Sequence, residues 1–212
     1  MTLVRLGYVA MSMELKNASP SKTMTFAQFQ KIDDREAAIR KLERIALQNL
    51  ENTLRMLKHN AASDIHFYRL SSRIIPLATH EELSDWNYIK PLKQVLRDIG
   101  DFAKENQIRI DFHPDHFVLI NSTKKHILSN AIKTLKMHYL LLKSMKIDPI
   151  HRCVMHVGGN YKETENSLER FIENWMYVPQ AIQKMIMLEN DDTSFSLTDT
   201  LYLCEKLNIP LV

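Results

Sequence analysis

Three short apolar runs of the sequence each end in a side chain that can bind a divalent cation. The first run begins at 109 and leads to His113. The second begins at 153 and leads to His156, and the third begins at 185 and leads to Glu189. A buried parallel strand reads as a continuous apolar run, so each residue would stand where a strand ends. Two imidazoles and a carboxylate suit zinc, manganese or iron. Because strand ends converge on one face of a parallel barrel, the three residues are predicted to share a metal site.

Each member of this trio also has a simpler interpretation. Glu189 could bridge two cations through its two oxygens, or it could be a buried acid held by backbone amides or an arginine. A single histidine at a strand end is more often structural than ligating. Asp191 and Asp192 could orient the metal ligands, or they could cap a helix.

His80 is a further candidate, because an apolar loop that begins at 74 ends on it. It could complete the metal shell or act as a general acid or base near neutral pH. Alternatively, it is a surface histidine that precedes the acidic pair Glu81 and Glu82.

A second group of residues could bind nucleic acid. Arg73 and Lys124 fall in loops or helix starts that follow predicted strands, where cationic side chains can contact phosphates. Tyr8 follows the first strand, and His116 and Phe117 follow the third, so their rings could stack on an unstacked base. The alternatives are solvated charges and local packing.

The elements that must position these residues alternate between strand and helix, which predicts parallel pairing with right-handed crossovers. We predict an α/β fold, a TIM-type (β/α)8 barrel that is incomplete, with about six β/α units in one domain over residues 1–212. Strands are predicted at 3–9, 64–70, 108–112, 150–155 and 184–188, with a sixth opening at 209. Helices are predicted at 33–59, 81–106 with a break near 86–91, 121–145 with Asn121 and Ser122 as caps, 164–175 and 196–206.

Composition narrows the class of protein. The 212 residues are 45% hydrophobic and 25% charged, with a net charge of +3, which permits a polyanionic partner without requiring one. Cys153 and Cys204 lack partners at metal-binding spacing, which indicates reduced thiols and a cytoplasmic protein. We expect no signal peptide, no membrane span and no obligatory protein partner.

Five motifs together resemble the UV damage endonucleases, a family of DNA repair enzymes. They are the segments 5–8, 75–80, 112–114, 156–161 and 188–192, which read RLGY, IPLATH, FHP, HVGGNY and LENDD. The resemblance implies an endonuclease IV-like TIM barrel with several divalent metal ions, manganese in many members and zinc or magnesium as alternatives. It also implies ATP-independent nicking 5′ of photoproducts in double-stranded DNA, in a bacterial cytoplasm at the nucleoid.

By this resemblance, His113, His156 and Glu189 are metal ligands, and His80 is an active-site residue that also touches metal. Tyr8 matches the family's tyrosine, and His116 and Phe117 match the pair that probes the damaged duplex. Histidine replaces the glutamine usual at the first position of that pair. An asparagine expected soon after the tyrosine is absent, because residues 11–13 read MSM.

Later strands of the family barrel bring more ligands and a modified lysine. None of these lies within residues 1–212, so we expect the chain to lack about two strand–helix units and to cleave little DNA alone. Two rival functions use the same residues: a metal-dependent sugar isomerase or epimerase of the xylose isomerase type, and a non-catalytic DNA-binding or scaffolding protein.

Overall fold

The computed structural model of the protein describes residues 5–161, 163–191 and 193–212. The chain divides into two compact units, with the boundary inside the third strand. The first unit comprises the residues up to Asp111 together with Leu141–Ile147, and the second comprises Phe112–Leu140 and Asp148–Val212. The prediction of a single domain stays a prediction.

The described strands form one parallel sheet, and their order in the sheet is their order in the chain. The strands are β1 (Gly7–Val9), β2 (Phe67–Leu70), β3 (Arg109–Phe112), β4 (Cys153–His156) and β5 (Ile186–Glu189). The helices are α1 (Phe26–Gln30), α2 (Arg35–Ala62), α3 (Ile89–Glu105), α4 (Lys125–Ser144), α5 (Thr164–Trp175), α6 (Gln180–Gln183) and α7 (Leu197–Leu207), with a 3-10 turn at Glu81–Leu83.

This architecture confirms the predicted α/β class with parallel strands. After α7, Leu211 forms a parallel bridge with Leu188, at the position predicted for a sixth strand. Closure of the sheet into a barrel stays a prediction. None of the helices within the described ranges combines the length and the apolar character that crossing a bilayer requires.

The first unit is built around the packing of α2 against α3. Asp34 starts α2 by accepting a hydrogen bond from the Glu36 amide at 2.9 Å, which satisfies one of the helix's free N–H groups. A stripe of fully buried leucines, including Leu42 and Leu50, then faces the core. On α3, a Cβ at Gly100 would overlap the backbone carbonyl of Met145, so this close approach requires glycine.

The second unit is organised by β4 and β5, which are buried along most of their length. They read as continuous apolar runs because both faces of a parallel sheet are covered. Ser196 and Asp199 form a reciprocal capping box at the start of α7, as the sequence indicated. Phe171 and Trp175 stack along α5, with ring centroids 5.6 Å apart.

The structure corrects two local predictions. Asn121 does not cap α4, because its side chain bonds to Gly159 in a different loop. Ser122 instead accepts the Lys124 amide at 3.1 Å, which turns the chain ahead of the helix. The segment between β1 and α2, for which the sequence predicted no strand or helix, contains the short helix α1, which Thr25 and Gln28 cap. The break predicted near 86–91 is confirmed, since α3 begins only at Ile89.

Candidate metal centre

Two of the three predicted ligands lie directly opposite each other on neighbouring strands. In the pairing of β4 with β5, His156 is opposite Glu189, and each is the last residue of its strand. His113 follows β3, whose last residue, Phe112, pairs with Cys153 of β4. The predicted convergence of strand ends is therefore observed for this trio within the second unit.

The three side chains form one compact cluster. His113 Nε2 and Glu189 Oε1 are in direct polar contact, and His156 Nε2 lies 3.4 Å from the same oxygen. The two imidazole rings are 5.0 Å apart between centroids and meet edge to face. All three side chains are half-buried, so the cluster is shielded from bulk solvent but remains accessible.

The two ring nitrogens of His113 each face an oxygen acceptor. His113 Nδ1 lies 3.1 Å from the backbone carbonyl oxygen of Pro114, and Nε2 contacts Glu189 Oε1. Carbonyl and carboxylate oxygens can only accept, so a neutral imidazole can donate to one of the two. A cation bound between Nε2 and Oε1 would leave Nδ1 to donate to the Pro114 carbonyl.

The cluster fits a divalent cation by its chemistry and its dimensions. One ligand atom from each of the three residues can be chosen so that all lie within 4.8 Å of one another. Nitrogen and oxygen ligands lie about 2.0–2.2 Å from zinc, so two ligands of one ion are at most about 4.4 Å apart. Small side-chain rotations therefore suffice. The donation from His113 Nδ1 to a carbonyl is the usual support for a metal-binding imidazole.

A cavity of about 250 Å3 adjoins His156 in the same unit. Its polar lining includes Asp115, His116 and Asp191. Partial burial acts to raise the pKa of Asp191, but hydrogen bonds from the amides of Ser194, Thr193 and Phe195 together hold it below its usual value. Asp191 thus organises a turn after β5 and does not cap a helix, because Ser196 is the N-cap of α7. Asp192 lies outside the described residues.

His80 belongs to the first unit, where its environment is well defined. Its Nδ1 accepts the Glu82 amide at 3.3 Å, so it caps the 3-10 turn. The ring stacks on Phe26, with centroids 3.8 Å apart. Its assignment to the metal shell or to acid–base chemistry stays a prediction.

Two residues predicted to bind DNA also lie in the first unit. Tyr8 is half-buried, donates a hydrogen bond to Asn60 Oδ1 at 2.7 Å and packs edge to face against Tyr68. Burial raises the pKa of the Tyr8 hydroxyl, although the bond to Asn60 opposes this effect. Arg73 is exposed after β2.

The remaining predicted DNA contacts lie in the second unit. His116 and Phe117 are exposed, with ring centroids 4.0 Å apart, and 65% of Phe117 is accessible to solvent. Lys124 is also exposed, immediately before α4. The large exposed aromatic ring is available for stacking, and no described contact buries it.

Sequence reasoning did not predict the roles of two buried polar residues, Asp111 and Asn121. Asp111 is buried in β3, where Arg69 Nε donates to its carboxylate at 3.2 Å. Asn121 is fully buried and joins two loops of the second unit. An acid inside an apolar run was a visible signal for Asp111, whereas the partner of Asn121 lies 38 residues away and left no local pattern.

Comparison with known proteins assigns a family to this arrangement. The protein-family profile described as UV-endonuclease UvdE matches residues 4–212. A UV DNA damage endonuclease of Halalkalibacterium halodurans is 57% identical over 209 residues, which cover 99% of this chain and 65% of that protein. One from Bacillus cereus is 44% identical over 210 residues and is covered to 66%. The chain thus spans slightly less than two thirds of these relatives' length.

A solved structure gives the same result. The crystal structure of SacUVDE superposes with a TM-score of 0.88 at 36% sequence identity, covering 99% of this chain and 68% of that one. The identity and the extent of the superposition show that the two proteins share more than a general α/β architecture.

Proposed function

The chain belongs to the UV-endonuclease UvdE family, and on that premise we propose that His113, His156 and Glu189 hold a divalent cation of a DNA repair endonuclease. The observation that carries this proposal is the convergence of one ligand atom each from His113, His156 and Glu189 to within 4.8 Å of one another. The ends of neighbouring strands deliver these three side chains, and His156 pairs directly with Glu189 in the sheet register.

The cation is proposed to be manganese, which the family resemblance implies and which an imidazole–carboxylate set accommodates. Zinc fits the same donors, and magnesium, which prefers oxygen ligands, fits them less well. A bound divalent cation supplies a water of lowered pKa and neutralises charge on a phosphate. Within the chain, Glu189 provides the negative charge of the site, and its second oxygen can serve a second ion.

The proposed substrate is double-stranded DNA carrying UV lesions, nicked 5′ of the damage. Phe117, exposed and backed by His116, would stack on bases where photodamage has weakened their own stacking. Tyr8 would contact the same distorted region, while Arg73 and Lys124 would bind phosphates. His80 would add a ligand or an acid–base group. The family assignment favours this reaction over the sugar isomerase or epimerase that could use a similar site.

A chimaera tests the reaction directly. This chain replaces the matching 65% of the Halalkalibacterium halodurans endonuclease, and the product is incubated with manganese and UV-irradiated supercoiled plasmid. We expect nicks that exceed those in unirradiated plasmid and that disappear with EDTA. Nicking at the level of the unirradiated control by a folded chimaera would reject the proposal. If that chimaera still bound irradiated duplex, the result would favour a non-catalytic binding protein.

Two variants of the chimaera separate the proposed roles. Glu189→Gln should abolish nicking but leave binding to irradiated duplex, because it removes a metal ligand. Phe117→Ala should weaken binding to irradiated duplex by about tenfold, since stacking contributes about 1–3 kcal/mol per base. Leu201→Ala, at an exposed position on α7, is the matched control and should change neither.

A further inference from the structure

We propose that Asn121 is a positioning residue for the metal centre, because its side chain locks the loop that follows His156 to the loop that follows His113. The inference rests on the metal-binding role proposed above for His113 and His156. Asn121 is not proposed to bind the metal ion. It acts through the backbone segments that follow His113 and His156.

The Asn121 side chain makes two complementary hydrogen bonds to one residue. Its Nδ2 donates to the Gly159 carbonyl at 2.8 Å, and its Oδ1 accepts the Gly159 amide at 3.2 Å. Asn121 is fully buried, so water cannot replace either bond when the side chain is changed. A carboxylate of the same shape cannot donate to the carbonyl, and an alanine can make neither bond.

Gly158 shows how closely the two loops approach. Its φ of +126° is a conformation that residues with side chains rarely adopt, and a Cβ there would overlap Asn121 Oδ1. Gly158 lies two residues after His156, the last residue of β4. The side-chain amide of Asn121 therefore holds the backbone that directly follows His156, one of the proposed metal ligands.

Asn121 is itself held from a third element, α5. Asn174 Nδ2 donates to the carbonyl of Ile120 at 2.7 Å and to that of Ser122 at 3.2 Å, on either side of Asn121. Arg170 donates to the carbonyl of Asn121 at 3.4 Å. These bonds from α5 hold the post-β3 loop, which begins at His113. The Asn121 side chain then connects this loop to the turn at Gly158 and Gly159.

A second asparagine provides an internal comparison. Asn160 Nδ2 donates to the Ser194 carbonyl at 3.1 Å, which links the post-β4 loop to the post-β5 loop. Asn160 is exposed, and it makes a single bond to that loop. Because water can substitute for an exposed hydrogen bond, its removal should disturb the metal centre much less than removal of Asn121.

Cobalt(II) binding to the 212-residue chain tests the inference, with visible absorption reporting the ligand geometry and titration giving Kd. We expect Asn121→Ala and Asn121→Asp to raise Kd by about tenfold, the lower end of the range for residues that support metal ligands, and to alter the absorption spectrum. Asn160→Ala should change Kd less than threefold. Asn130→Ala, exposed on α4, should match the wild-type chain.

The measurement is made at a temperature at which circular dichroism shows every variant folded, so that loss of stability alone does not raise Kd. If Asn121→Ala does not fold, Asn121→Asp, which retains the acceptor for the Gly159 amide, decides the outcome. Wild-type Kd and spectrum in the folded Asn121 variants would overturn the positioning role. Failure of the wild-type chain to bind cobalt would instead overturn the metal site itself.

Discussion

Two carboxylates of the sheet, one in each unit, pair with different kinds of side chain. Asp111 in the first unit is 1% exposed and is paired with Arg69, whose charge is permanent. Glu189 in the second unit is 22% exposed and contacts two imidazoles, those of His113 and His156. Asp111 interrupts an apolar run and Glu189 ends one, so the sequence pattern alone does not distinguish the two acids.

On the proposed assignment, this difference separates a structural acid from a metal-binding one. A buried carboxylate needs a compensating charge, because desolvation of an unpaired ion is very costly. Arg69 meets that requirement for Asp111 at all accessible pH values. The imidazoles beside Glu189 can instead bind the same cation as the carboxylate, and that cation would supply the charge. The distinction therefore lies in the partners of each carboxylate and not in the carboxylate itself.

The largest expected effect comes from removing the fixed charge. Arg69→Met should lower the free energy of unfolding by about 3 kcal/mol or more, because it leaves Asp111 charged and buried without its partner. Urea denaturation at pH 7 measures the change, and Arg44→Met, on the exposed side of α2, is the control. A loss below about 1 kcal/mol would mean that Asp111 is protonated or solvated, and that it does not depend on Arg69 for a compensating charge.

Glu189→Gln should change metal affinity strongly and stability little, in contrast to Arg69→Met, whose effect is on stability. The amide can either donate to His113 Nε2 or accept from it, so the metal-free chain should keep its unfolding free energy to within about 1 kcal/mol. Manganese affinity should fall by about a hundredfold or more, beyond the usual effect of residues that merely support ligands. Titration followed by electron paramagnetic resonance of free manganese measures this. Strong destabilisation with unchanged affinity would make Glu189 a structural acid like Asp111.

His138 is a third buried titratable side chain, and it has no compensating partner among the described residues. Neither ring nitrogen has a hydrogen-bond partner among the described residues, the ring stacks on Phe112 with centroids 4.2 Å apart, and burial lowers its pKa to about 3. Between that pKa and the unfolded value of about 6.5, only the unfolded state binds the proton. Stability should therefore fall as the pH is lowered, by up to about 1.4 kcal/mol per pH unit.

The variant His138→Phe should remove this acid sensitivity, because it keeps an aromatic ring against Phe112 and abolishes the titration. Urea denaturation at pH 7 and at pH 5 measures the difference in slope, with His151→Phe, an exposed position, as the control. Equal pH dependence in His138→Phe and the wild-type chain would show that the buried imidazole does not titrate as described.

The smallest expected effect concerns a neutral pair in the first unit. Tyr8→Phe removes the hydroxyl that donates to Asn60 Oδ1. The other polar atom of the Asn60 side chain, Nδ2, has no hydrogen-bond partner among the described residues. The unfolding free energy should fall by about 1 kcal/mol. Thermal or urea unfolding measures it, and an unchanged stability would indicate that water replaces the lost bond.

The proximity of His113, His156 and Glu189 could be predicted from the sequence because each of them ends an apolar run of strand length. Parallel pairing then brings such ends together, as the register of His156 with Glu189 shows. The helix α5 was predicted with the observed bounds, since its apolar spacing is regular. Strand starts were predicted too early at 64 and at 150, since β2 begins at Phe67 and β4 at Cys153. Ile150, which suggested the earlier start of β4, lies exposed in a turn.

Features that depend on distant partners could not be predicted. An asparagine before a helix indicates a cap, yet both polar side-chain atoms of Asn121 form hydrogen bonds with Gly159. Similarly, the support of His113 comes from the carbonyl of the next residue, and backbone carbonyls leave no trace in a sequence. In both cases tertiary geometry overrides a local preference.

Anomalous diffraction from crystals of the chain soaked in manganese tests the central claim most directly. The account predicts a peak in contact with His113 Nε2, a carboxylate oxygen of Glu189 and a nitrogen of His156, with His113 Nδ1 still bonded to the Pro114 carbonyl. Well-ordered side chains with no peak among them, or a peak bound only by residues elsewhere, would contradict it.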